Sequence, residues 1–382
     1  MLTSRLFPSF FMGGFECSDH RDWAGRRLDQ TRAYGHDTQA VADYRRCQAL
    51  GLGAARDTAR WPRVDRHGGR RYDWSAVDLL LAAAQETGMV VCWDLFHYGY
   101  PDGLDLLGPD FVPRFAAFAH AFAEHALQYV PADQLWFTPV NEPSYFSWAA
   151  GDMGYFQPAL HGQGGAVKRQ LVRAHLAAAD AVWAVAPQAQ LMSVDPLVRA
   201  HAPADAPELA QAASDWSRWT VWEACDMIAG LREPELGGAR RYLGTVGVNM
   251  YHVCQWEYQR AQRMIYEDDP RWWPLHRMLG FVADLYGGSL VITETCGVGD
   301  GRAPWLQHLL REVVLARSKG VDVQGVCWYP IITSPDWEDP TAFIDSGFWD
   351  SAPQPDHSLA RVPHTPLIEE LRRWQGEDER PI

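Results

Sequence analysis

The chain has 382 residues, 47% of them hydrophobic and 21% charged, enough for a large core. A formal net charge of −14 argues against nucleic acid or an anionic membrane surface as the main partner. No apolar run approaches the roughly 18 residues of a membrane span, and the seven scattered cysteines, without a CxxC pair, favour neither a disulfide framework nor a zinc site.

Short apolar runs alternate with longer amphipathic ones. The N-terminal stretch "MLTSRLFPSFFMGGFECS", with one Arg and a short apolar patch broken by Pro8, makes a weak case for a signal peptide, and its segment 9–15 reads as a first strand. A helix follows over 38–50, stopped by Gly51, then a strand over 52–58. Residues 73–87 read as a helix with Asp73 as N-cap and Gly88 as its stop. Strand 89–97, helix 110–129 and strand 135–140 come next. The second half continues with helix 165–186, strand 189–195, helical material over 206–231 and strand 244–252. Helix 271–286, strand 289–295, helix 304–319, strand 321–330 and helix 364–374 complete the chain.

The strands are continuous apolar runs, as expected for strands buried on both faces. About eight such β/α units predict an α/β fold, a (β/α)8 TIM barrel, with residues 1–382 as a single domain. A doubly wound open sheet is the alternative, but no G-x-G-x-x-G follows the first strand, which also speaks against a dinucleotide cofactor. Cysteines inside apolar runs, such as Cys92 and Cys327, predict buried free thiols in a reducing compartment, and the expected location is cytoplasmic.

In such barrels chemistry sits at the C-terminal ends of the strands. There stand Arg56 on the second, His97 on the third, Asn141 and Glu142 on the fourth, Asn249 and Tyr251 on the sixth, Glu294 on the seventh and Trp328 on the eighth. Two carboxylates over an aromatic floor suit cleavage of a glycosidic bond: one must be neutral to protonate the leaving oxygen, the other ionised to attack the anomeric carbon. The chain's 18 Trp and 14 Tyr supply surfaces on which sugars stack. Metal hydrolysis would need a cluster of His and Asp ligands, and a serine nucleophile a G-x-S-x-G elbow; neither pattern is present.

At these residues the chain resembles family 1 glycoside hydrolases, the β-glucosidase group of retaining barrel glycosidases. "FTPVNEP" (137–143) is similar to that family's T-F-N-E-P, and "VITET" (291–295) to its I-T-E-N. "ARDTARWPRV" (55–64) resembles R-F-S-I-S-W-P-R-I, "LFHYGYP" (95–101) resembles L-Y-H-W-D-L-P, "VNMYH" (248–252) resembles the sixth-strand N-Y-Y, and "MGYFQP" (153–158) resembles G-Y-H-A-P. The matches keep their order almost end to end. The resemblance implies Glu142 as acid/base and Glu294 as nucleophile, with Tyr251 and Arg56 holding Glu294. It implies Asn141 on the sugar 2-hydroxyl, His97 on the glycone and Trp328 as the platform beneath it, with Asn249 beside them.

The chain also departs from the pattern. It is shorter than a typical member. His20 stands where the family has a glutamine, His97-Tyr98-Gly99 where it has H-W-D, and its glycone-binding Glu-Trp pair is matched only across a gap by Asp336 and Trp337. Catalysis is thus expected to be retained and sugar recognition rebuilt. The expected partner is a small saccharide or glycoside, with no metal and no cofactor. Two other functions stay open on the sequence: a transglycosylase using the same two glutamates, and a non-catalytic saccharide-binding barrel. The sugar, exo or endo action and the oligomeric state are not legible.

Overall fold

The computed structural model describes residues 2–355 and 358–376. Eight parallel strands close into a barrel: β1 Phe11–Gly14, β2 Ala54–Thr58, β3 Val90–Asp94, β4 Trp136–Thr138, β5 Gln190–Pro196, β6 Thr245–Asn249, β7 Leu290–Glu294 and β8 Val323–Trp328. Each strand pairs with its neighbours in chain order. Closure comes from β1, whose Met12 lies opposite Cys327 of β8 on one side and Ala54 of β2 on the other. The helices that follow the strands are α1 His36–Ala49, α2 Ser75–Thr87, α3 Phe111–Ala126, α4 Gly164–Val185, α5 Glu223–Ile228, α6 Leu275–Tyr286, α7 Arg302–Ser318 and α8 Thr365–Gln375.

The double-sided apolar character of the strands follows from where alternate residues point. Met12, Ala54, Cys92, Trp136, Met192, Val194, Val291 and Cys327 fill the barrel interior, and Phe7 stoppers its floor against the Trp136 ring, with centroids 4.5 Å apart. Ala55, Val91, Phe137, Leu191, Val246, Ile292 and Val326 belong to the larger layer between strands and helices. The interior is crowded. A Cβ on Gly247 would lie 2.7 Å from Thr293 Cγ2 and 2.8 Å from a methyl of Val194, so β6 crosses the core only as glycine at that level.

Several boundaries differ from the sequence-based expectation. Asp73 is not the N-cap of α2: the helix begins at Ser75 with Trp74 as its cap, and Asp73 Oδ1 instead accepts from Ser75 N at 3.2 Å. The stop at Gly88 is as expected, in the left-handed conformation at φ 71°. The expected helical stretch 206–231 is broken into Ala210–Asp215, a π turn over Trp216–Thr220, and α5. β6 ends at Asn249, so Tyr251 lies in the following loop rather than on the strand. Small hairpins in the loops, among them Asp19–Arg21 with Arg27–Asp29 after β1, had no signal in the apolar pattern because they are short and polar. All seven cysteines are buried and free. Among the described residues, no helix is long and apolar enough to cross a membrane.

Candidate active site

Above the apolar floor the inward-facing positions turn polar. Arg56 on β2 is fully buried and makes four contacts. Its Nη1 donates to Glu294 Oε1 at 3.0 Å and to the Thr293 carbonyl at 2.9 Å. Its Nη2 donates to Asp94 Oδ2 at 2.7 Å and to Asn141 Oδ1 at 3.1 Å. One guanidinium therefore ties together the ends of β2, β3, β4 and β7, with the planar fork that lysine lacks. Tyr251 completes the surroundings of Glu294, its hydroxyl donating to Oε2 at 2.8 Å.

Glu142 sits beyond the end of β4. Asn141 and Glu142 rejoin the barrel through their backbones, which donate to the carbonyls of Phe96 and Val194 at 2.9 and 3.0 Å. Glu142 is left-handed at φ 47°, a costly conformation for a residue with a side chain, and Pro143 opens a short helical turn behind it. Its Oε1 accepts from Asn249 Nδ2 at 2.9 Å, and its Oε2 accepts from the Tyr98 hydroxyl. Thr293 orients Asn249 by donating to its Oδ1 at 2.6 Å.

The two carboxyls have opposite environments. Burial and then the charge of Glu294 push Glu142 up to about 8, against the hydrogen bonds from Tyr98 and Asn249. Burial raises Glu294 above the usual carboxylate range as well, but there Arg56, His97 and Tyr251 pull it back toward ionisation. Among the described residues no cation contacts Glu142. Of the pair, Glu142 is the group that keeps its proton near neutrality, and Glu294 the one equipped to carry charge.

His97 and Asn141 form part of the same network. His97 Nδ1 lies 2.9 Å from Asp94 Oδ2, and its Nε2 lies 3.2 Å from Asn141 Nδ2. Asn141 Oδ1 receives donors from both Arg56 and Asn249, so its amide nitrogen must face His97. In the neutral ring a nitrogen donor facing Nε2 puts the proton on Nδ1, directed at Asp94, and against burial Asp94 raises the ring above its ordinary pKa. Trp328 is buried, its indole N–H donating to the Ser346 carbonyl at 2.7 Å and its ring edge-on to Phe348. His20 is 1% exposed, and neither ring nitrogen has a partner. Its ring lies 4.8 Å from that of Trp337 and 4.4 Å from that of Phe156. Trp337 is half-buried over this cluster. Asp336 serves its own loop, its Oδ1 accepting from the backbone of Glu338 and Asp339 at 2.6 and 3.2 Å.

Two features escaped the sequence reading. The first is Tyr98, seen there only as a departure from a motif. It is buried, left-handed at φ 64°, and its ring stacks with those of Phe146 and Phe156. The chain can turn this way because Gly99 follows: a Cβ there would lie 1.9 Å from the Asp19 carbonyl oxygen. The second is a contact among Cys17, Asp94 and His97, whose donor atoms all lie within 4.8 Å of one another. Cys17 Sγ is 3.2 Å from His97 Nδ1. Such a trio can ligate a metal, but the Arg56 guanidinium already occupies Asp94 Oδ2, and burial followed by the charge of Asp94 pushes the Cys17 thiol well up, away from thiolate. The trio reads as a hydrogen-bonded brace beneath the pocket.

No family model matches the chain, and no curated protein sequence matches it significantly. Solved structures do. The β-glucosidase of Thermotoga maritima in complex with glucoimidazole superposes with a TM-score of 0.79 at 16% identity, covering 98% of this chain and 99% of that one. The family 1 β-glucosidase from the same organism gives 0.76 at 15% identity over 99% and 100% of the two chains, and its complex with isofagomine lactam 0.77 at 14% over the same shares. The chain therefore has the fold of the family 1 β-glucosidases along essentially its whole length. At these identities the likeness speaks for architecture alone.

Proposed function

We propose that this protein is a retaining β-glycosidase acting on a small β-linked glycoside, with Glu294 as nucleophile and Glu142 as acid/base. The observation that carries the reading is the division between the two buried carboxyls: Glu294 in contact with Arg56 and Tyr251, Glu142 with no cation and pushed up to about 8. The fold shared with β-glucosidases solved in complex with castanospermine and isofagomine lactam supports a small saccharide as ligand.

In the first step Glu142, still protonated at neutral pH, gives its proton to the glycosidic oxygen while a Glu294 carboxylate oxygen attacks the anomeric carbon. The bond to the aglycone breaks, the alcohol leaves, and an ester joins the sugar to Glu294. That ester no longer carries charge, so Glu142 loses the neighbour that raised its pKa and becomes a better base. It then takes a proton from water, whose oxygen attacks the anomeric carbon and releases Glu294. The two carboxyls supply both acid and nucleophile, so the chemistry is complete without a metal or a cofactor. Asn141, His97, Trp328, His20, Asn249, Trp337 and Asp336 are the proposed sugar-binding groups. Of these, His20 has the most unfilled hydrogen-bonding capacity.

A 2-deoxy-2-fluoro β-glucoside with a good leaving group tests the assignment. The expected result is a stable ester on Glu294 by peptide mass mapping, absent in Glu294→Ala. A label on any other residue refutes the nucleophile. Release of free sugar in the presence of added acceptor sugars is the expected product pattern, and transfer to the acceptor as the main product would make the enzyme a transglycosylase.

A further inference from the structure

Just beyond β1 stands a carboxylate that the mechanism above does not use. Glu16 is 6% exposed. Its Oε1 accepts from Ser18 twice, from the backbone N–H at 3.0 Å and the hydroxyl at 2.6 Å. Its Oε2 has no hydrogen-bond partner among the described residues, and no Arg, Lys or His forms an ion pair with it there.

The segment carrying Glu16 borders the pocket. The next residue, Cys17, touches His97 through its sulfur and receives the Tyr329 hydroxyl on its backbone nitrogen at 3.2 Å. Glu16 lies within electrostatic reach of Cys17, His97, Cys296 and Tyr329, which stand at or just beyond the ends of β1, β3, β7 and β8. Cys296 is two residues from the proposed nucleophile. Gly14 of β1 turns its Cβ position inward against Cys327 and Tyr329, the ladder continues through the Phe15 N–H to the Arg56 carbonyl at 3.0 Å, and Phe15 stacks outward on His36, so Glu16 points to the same mouth as Glu294.

The local bases are already paired or neutral, His97 being paired with Asp94 at 2.9 Å. Arg56 is committed to Asp94 and Glu294. His20 is held neutral, pushed down to about 3 by burial and then by His97. The arginines of the hairpin after β1 are matched by acids: Arg27 by Asp19 and Asp102, Arg21 by Asp102, Arg26 by Asp22. Buried carboxylates are ordinarily paired or fully hydrogen-bonded; Glu16 is neither on one of its two oxygens.

Resting on the reading of this site as a glycosidase pocket, we propose that Glu16 selects the sugar: its free oxygen accepts from hydroxyl or ammonium donors of the glycone, and its uncompensated charge shuts out glycones that carry carboxylate or phosphate. The substrate class is thus an uncharged or basic β-glycoside, and uronides and 6-phosphoglycosides are excluded.

Glu16→Gln keeps the size of the side chain and an acceptor for Ser18 while removing the charge. Wild type and variant are compared for kcat/KM on aryl β-glucoside, aryl β-glucuronide and aryl β-glucoside 6-phosphate. The variant is expected to lose about 10- to 100-fold on the glucoside, the range of one hydrogen bond to a charged group, mainly through KM, and to gain on the two anionic substrates. An unchanged ratio of neutral to anionic turnover, or a wild-type preference for an anionic sugar, overturns the proposal. Calorimetric binding of castanospermine, a basic iminosugar, separates this proposal from the catalytic one because it needs no turnover. Weaker binding to Glu16→Gln supports the role of Glu16 even if no glycoside is hydrolysed. Unchanged binding refutes it even if hydrolysis is fast.

Discussion

Replacing Tyr98 by phenylalanine isolates the hydroxyl that touches the proposed acid/base. Burial holds the phenol of Tyr98 far above its ordinary pKa, so it remains a proton donor at every working pH. A donor on Glu142 Oε2 stabilises the carboxylate over the carboxylic acid and so lowers the pKa of Glu142, against burial and the charge of Glu294. A hydrogen bond to a charged group is worth about 1.5 to 3 kcal/mol, and one pKa unit corresponds to about 1.4 kcal/mol. Removing the bond should raise Glu142 by about 1 to 2 units, while the Asn249 bond to Oε1 stays in place. The active form of Glu142 is protonated, and activity falls as pH rises through its pKa. In Tyr98→Phe the alkaline limb of kcat/KM for an aryl β-glucoside should therefore move upward from about 8, with the acid limb unmoved. The phenyl ring still fills the space between Phe146 and Phe156, so packing is retained. An alkaline limb that stays in place or moves to lower pH would refute the reasoning. A fall in kcat with no shift of either limb would reduce Tyr98 to a packing residue.

Glu142→Gln should change how stability depends on pH. The folded pKa of Glu142 is raised to about 8, so the wild type is favoured below the unfolded value of about 4.3 and loses that stability as pH rises through about 8. The loss is at most about 5 kcal/mol by linkage. The variant has no such loss, and its Tm advantage should widen from pH 5 to 8 and then level off; a difference that is flat across that range contradicts the burial of a neutral Glu142. Arg56→Met leaves Asp94 and Glu294 without their cation, and removal of one partner from a buried ion pair costs about 3 to 5 kcal/mol. Urea denaturation should show a loss of that size, and a loss under about 1 kcal/mol would mean the two acids do not depend on Arg56.

The alternation of apolar runs and amphipathic helices was enough to predict a barrel, because hydrophobic period is a local property and eight buried strands have few ways to close. It was also enough to bring Arg56, Asn141, Glu142, Asn249 and Glu294 to one mouth: Asn249 and Glu294 end their strands, Asn141 and Glu142 follow β4, and Arg56 reaches in from the middle of β2. Short polar hairpins and the breaks around α5 had no such period and were missed or merged. Partner choice is another matter. Arg56 meets Glu294 across 238 positions of sequence, and Tyr98 meets Glu142 across 44, through the register of neighbouring strands and through left-handed residues that no apolar pattern encodes. Asn141, expected to reach a sugar hydroxyl, has both ends of its amide engaged by Arg56, Asn249 and His97. The sequence by itself determined which side chains arrive at the mouth. Only the tertiary structure decided which of them neutralise one another and which, like Glu16 and His20, are left with hydrogen-bonding capacity for a ligand, because that depends on distances of a few ångströms between segments that the sequence keeps far apart.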